Sequence, residues 1–109
     1  MILIEDKTLY YISFYEFGMP FTGSLGGLYG MHYRVARDPL ENVHWTPKEK
    51  RGEAVLVAEH WKGPYNYEST DKEKITRKEF EYSEEGKKEI ADWLNHEYLE
   101  KYNKKRNVF

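Results

Sequence analysis

Residues 8–37 read TLYYISFYEFGMPFTGSLGGLYGMHYRVAR, and the reading of this stretch decides the fold. Thr8–Phe17 is aromatic and β-branched, the composition of a strand. Residues 18–30 hold five of the eight glycines together with Pro20. Glycine reaches positive φ at no steric cost, so this segment predicts a turn and not a continued ladder. Met31–Arg37 then alternates again. The stretch as a whole predicts a long β-hairpin with an elaborate loop.

Working outward, Asp38-Pro39 ends the second strand, and residues 38–52 form a proline-containing, charged connection closed by Gly52. Residues 53–61 read as a third strand. Lys62-Gly63-Pro64-Tyr65 is a turn signal, residues 66–74 read as a loop, and residues 75–82 as a charged edge strand. Ser83 is an N-cap type, with Glu84 and Glu85 suiting the helix dipole. Ile90, Trp93, Leu94, Tyr98 and Tyr102 share one face of the helix that follows. Lys101, Lys104, Lys105 and Arg106 give its end a basic cluster. Gly86, inside the first turn, costs ~1 kcal/mol against alanine on intrinsic propensity. The expected fold is α+β: an antiparallel meander of about four strands with one C-terminal helix packed on one face, residues 1–109 forming a single domain.

Composition narrows the function classes. The net charge of −2 and an isoelectric point near 6.1 supply no global attraction to nucleic acid or anionic membrane. Without cysteine there is no disulfide, thiolate metal site or thiol nucleophile. No apolar run approaches a membrane span, and the start, MILIEDK, lacks a basic leader and cleavage site. The expected location is the cytoplasm. Ten tyrosines, five phenylalanines and three tryptophans are the surplus. Rings with a polar tip suit half-buried faces and interaction surfaces.

Alternation splits each strand into two sets. Leu9, Tyr11, Ser13, Tyr15 and Phe17, with Met31, Tyr33, Val35, Arg37, Val55, Val57, Glu59 and Trp61, are assigned to the core beneath the helix. The opposite set holds Tyr10, Ile12, Phe14, Glu16, His32, Arg34, Ala36, Ala54, Leu56, Ala58 and His60. One helix covers one sheet face, so the second face must be wet, covered by a loop or covered by a partner. In the plainest antiparallel register Glu16, His32 and His60 lie side by side, with Arg34 one step inward. Two imidazoles and a carboxylate suit a divalent metal or a general base; three polar residues on a solvated face are the plainer alternative, because a one-residue slip inverts a strand.

Other features are weaker. The glycine-rich segment lacks the Lys-Ser/Thr of a P-loop and leads into a strand, not a helix, so it is no dinucleotide fingerprint. Ser24 lacks a full nucleophile elbow. The runs at 9–14 and 27–33 echo two motifs of RNA-recognition domains, but without the intervening helix, so stacking on single-stranded nucleic acid is an alternative only. Trp45, in His44-Trp45-Thr46-Pro47, and the turn Trp61–Tyr65 are candidate partner anchors. His96 reads as a solvated helix residue.

Residues 10–21, 33–40, 82–86 and 93–95 together resemble small proteins of gut Firmicutes and their phages or mobile elements. The resemblance spans most of the chain and brings no cofactor or catalytic residue with it. It implies a small protein that binds a host or defence protein, such as an anti-CRISPR-like inhibitor. The expectation is therefore a protein-binding module with no cofactor, a homodimer being one variant. Its candidate binding residues are Tyr10, Phe14, Glu16, His32, Arg34, His60 and Trp45. The alternatives are a metal- or acid/base-dependent enzyme using Glu16, His32 and His60, and a single-stranded nucleic-acid binder.

Overall fold

The computed structural model describes residues 3–102. Lys104, Lys105 and Arg106 of the basic cluster lie outside the described residues. Four strands, β1 (Phe21–Leu25), β2 (Met31–Asp38), β3 (Val55–Lys62) and β4 (Thr76–Glu81), form an antiparallel sheet in sequence order. A short helix, α1 (Ile12–Tyr15), precedes the sheet, and a long one, α2 (Glu84–Glu97), follows it and packs on one face. The chain leaves α2 through a π-helical turn at Tyr98–Tyr102. The expected α+β meander is the observed one.

The amino-terminal strand is not. Residues 8–17 form a 3-10 turn (Asp6–Leu9) and α1 in place of a strand. Leu9, Ile12 and Tyr15 recur at three-residue spacing, and this set is turned inward, with Leu9 and Tyr15 fully buried. The Tyr15 hydroxyl donates to the Leu9 carbonyl at 2.7 Å and closes the arm on itself. Burial at helical spacing outweighs the strand preference of aromatic residues, which is largely a preference for fitting a pleated surface. The strand beside β2 comes instead from inside the glycine-rich segment, with Phe21 opposite Val35 and Leu25 opposite Met31. Gly26 and Gly27, both at φ 83°, turn the chain between them. The long hairpin is thus a short one, and Tyr11 and Phe17, assigned to the core, lie on the surface.

The second correction concerns the phase of β3. Tyr33 pairs with His60, Val35 with Ala58 and Arg37 with Leu56. Leu56, Ala58 and His60 therefore join Met31, Tyr33 and Val35 beneath α2, and Val57, Glu59 and Trp61 take the opposite face. Both sets are largely apolar, so alternation within β3 could not choose between them. The set expected outside contains two of the best-buried side chains, Leu56 and His60.

The α2 face presents Ile90, Ala91, Leu94 and Tyr98 to the sheet and to the arm. Ser83 caps the helix as expected: its hydroxyl accepts from the Gly86 amide at 3.0 Å. Asn95 fastens the arm to α2. Its Oδ1 accepts from the Ile4 amide and its Nδ2 donates to the Ile4 carbonyl, each at 2.8 Å. The opposite sheet face is covered at one end by the loop after β3. Trp61 Nε1 donates to the Tyr65 carbonyl at 2.8 Å, and the Tyr67 hydroxyl donates to Glu59 Oε2 at 3.1 Å.

Candidate interaction surface

The arm that failed to become a strand carries three exposed aromatic side chains, Tyr10, Tyr11 and Phe17. Tyr10 opens it at φ 64°, ψ −171°, a left-handed conformation rare outside glycine. A residue held there costs on the order of 1–3 kcal/mol and persists only where its surroundings impose it. Those surroundings come from the start of α2. Lys87, only 1% exposed, donates to the Tyr10 carbonyl and pairs with Glu84 at 2.9 Å and Asp6 at 3.6 Å. Glu84 Oε2 also accepts from the Ile12 amide at 2.9 Å and so holds the first turn of α1. That amide bond, against the opposing effect of burial and with the help of Lys87, keeps the Glu84 carboxyl below its ordinary range.

The result is two groups of rings beside one cleft. Tyr10 meets Phe14 and Phe21 edge-on at centroid distances of 4.9 and 5.1 Å. Tyr10, Tyr11, Phe14 and Phe17 line one open cleft of about 520 Å³ with Asp6, Glu84 and Lys87 at its base. Phe17 stacks on His44 at 4.1 Å, and His44 meets Trp45 edge-on at 4.6 Å. Tyr11 is 78% exposed and Trp45 85%. Apolar rings packed against one another yet open to water have the character of a binding surface, since they present large area at little side-chain entropy cost.

The expected site residues fall into four places. Tyr10, Phe14 and Trp45 belong to this ridge. His32 and Arg34 lie on the loop-covered sheet face: Arg34 pairs with Glu59 at 3.3 Å and sits 4.6 Å over the Tyr67 ring, and His32 stacks on Trp61 at 6.2 Å. These residues border a cleft of about 370 Å³. Glu16 is on neither face of the sheet; it follows α1 and pairs with Arg51 at 3.2 Å. His60 is buried beneath α2. Glu16, His32 and His60 are therefore not assembled, because the arm is no strand and β3 has the opposite phase. Among the described residues no group of three His, Cys, Asp or Glu side chains is placed to hold a metal ion.

His60 has a different setting. Its Nε2 lies 2.9 Å from Glu97 Oε1 and its Nδ1 2.7 Å from the Tyr102 hydroxyl. Lys101 reaches the same Glu97 oxygen at 2.8 Å. A neutral imidazole with its proton on Nε2 donates to Glu97 and accepts from Tyr102, which satisfies every member of the chain. Burial lowers the His60 pKa, and the Glu97 carboxylate only partly offsets this. Burial opposes the Glu97 charge too, but hydrogen bonds from Lys101 and His60 overcome it and hold that carboxyl low. The Tyr102 phenol, buried beside Glu97, is pushed up to about 12. The arrangement is a polar clamp joining β3 to the end of α2.

Sequence reasoning missed Tyr11, Phe17, Lys87, Glu97 and Arg51. The i,i+3 and i,i+4 pairs Glu84–Lys87 and Glu97–Lys101 were visible as helix spacing, but their tertiary partners were not.

No protein-family model matches the chain significantly, and neither does any curated protein or solved structure. Among the described residues no helix is long and apolar enough to cross a membrane.

Proposed function

We propose that the protein is a protein-binding module whose contact surface is the ridge from Tyr10 and Tyr11 through Phe17 to Trp45. The observation that carries this reading is the exposure of Tyr11, on the cleft it lines with Phe14 and Phe17, and of Trp45, at the end of the Phe17–His44–Trp45 ring contacts. The strained Tyr10 backbone, imposed by the buried Lys87, adds to it, since such strain is stored where a side chain must be presented. The partner is a protein with an apolar or aromatic patch; the resemblance to proteins of phages and mobile elements favours a host or defence protein. Self-association through the ridge is the homodimer variant. The uncovered-sheet version of the surface is not retained, because Trp61 and Tyr67 already pack there and Arg34 is paired. The same occupancy weakens the single-strand stacking reading.

The test is a purified-partner binding titration with the wild type and a Y11S/W45S variant. Both side chains are exposed, so the variant keeps its circular dichroism and melting temperature. The partner isolated with the wild type binds the variant at least tenfold more weakly, as expected when two aromatic anchors are lost. Equal affinity, or a monodisperse wild-type monomer with no specific partner in extract of its native host, overturns the reading.

A further inference from the structure

A second cleft, of about 350 Å³, lies on the other side of α1, between the start of α2 and the 43–54 connection. Arg37, Lys48 and Arg51 line it, with Glu16 as the single carboxylate among the described residues, in a chain whose net charge is −2. The Arg37 guanidinium is unusual. The residue is 3% exposed, yet no carboxylate among the described residues is within pairing distance of it, or of Lys48. Arg37 donates to the Pro39 carbonyl at 2.7 Å and, at 3.5 Å, to that of Arg51. Two carbonyls use part of its donor capacity and none of its charge, and buried charges are ordinarily paired. Arg51 is fully committed: it pairs with Glu16 and donates to the carbonyls of Thr46 and His44.

The Tyr82 hydroxyl is the second observation. It is buried in the wall of the cleft with no well-aligned hydrogen-bond partner among the described residues, and the Arg37 guanidinium stands 5.6 Å from its ring. A buried hydroxyl without a partner destabilises the fold unless something answers it. Ile12, Val43 and Ala54 make the rest of the wall apolar. A concave, mostly apolar site with a few convergent polar groups is what a small ligand needs, and the volume lies in the usual range of roughly 300–1,000 Å³.

We infer that this cleft binds a small organic anion whose carboxylate or phosphate group meets Arg37 and the Tyr82 hydroxyl while its apolar body lies on Ile12, Val43 and Ala54. Lys48, at the mouth, adds charge without ordering the site. The guanidinium fork matches either oxyanion bidentately. The site stands independently of the aromatic ridge.

Benzoate and phenyl phosphate are the probes, titrated into the full chain by calorimetry, with sodium chloride at matched ionic strength as the control. Amide chemical shifts report the location. Saturable binding of either probe, with shifts centred on Arg37, Lys48 and Tyr82, is expected. Benzoate alone points to a carboxylate ligand, phenyl phosphate alone to a phosphate ester, and both to the shared oxyanion chemistry. Y82F and K48Q each weaken binding several-fold; K48Q changes an exposed side chain and keeps the test decisive should Y82F perturb the fold. No saturable binding beyond chloride, shifts scattered elsewhere, or unchanged affinity in both variants overturns the inference.

Discussion

His60 and Glu97 are buried against each other, Nε2 to Oε1 at 2.9 Å, and the pair closes β3 onto the end of α2. Its pH response has a definite sign. The His60 pKa is lowered in the fold from an ordinary value of 6.5, first by burial, so below that value the unfolded chain takes up the proton more readily. Stability is therefore full above pH 6.5 and falls as the pH drops toward the folded value. Glu97, held below 4.5, extends the loss in the same direction at lower pH. The urea midpoint should decline between pH 7 and pH 5.5. In H60Q that part of the slope should vanish while the loss below 4.5 remains. A midpoint independent of pH across the upper range would show that His60 does not titrate on unfolding.

Gly86 reverses the expectation drawn from helix propensity. A Cβ there would collide with the Glu81 carbonyl, because the chain folds back tightly between β4 and α2. Gly86→Ala should destabilise the fold by about 1–3 kcal/mol, the usual cost of overpacking, where propensity alone predicts a gain. Chemical denaturation decides the sign directly.

Gly23 faces Tyr33 across the first strand pair, and a Cβ at Gly23 would lie 2.5 Å from the Tyr33 hydroxyl oxygen. The ring covers the backbone of the edge strand. Gly23→Ala should lose roughly 1–3 kcal/mol by displacing that ring. In the Tyr33→Leu background the same change should cost markedly less, a coupling that a double-mutant cycle reads.

Asn95 makes two hydrogen bonds with Ile4. Asn95→Ala should cost about 1–3 kcal/mol, counting two bonds at roughly 1 kcal/mol each. It should also speed hydrogen exchange in residues 4–15 before that of β2 and β3. Uniform acceleration through the sheet would show that the arm and the sheet open together.

Much of the fold was legible because its signals were local. Ser83 with Glu84 and Glu85 marked the start of α2, and the charge of residues 76–81 marked an edge strand. What was hidden depended on distant partners. The phase of β3 is set by the pairing of Tyr33 with His60, 27 positions apart in the chain, because Leu56 and Val57 are equally apolar neighbours. The arm reads as a strand by composition and becomes helical because Leu9 and Tyr15 are drawn under α2, which the sequence supplies only at its far end. For the same reason Tyr10, Phe14 and Trp45 were found as candidate anchors, but Phe17, which stacks on His44 beside Trp45, was assigned to the core.

The strap between Ile4 and Asn95 joins residues 91 positions apart. On a ribosome adding on the order of 5–20 residues per second, the arm waits several seconds for the helix that buries it. Through that interval Leu9, Phe14 and Tyr15 have no α2 to shelter them. The nascent chain thus shows a stickier surface than the finished one, and its yield in a cell depends on how crowded and how chaperoned those seconds are.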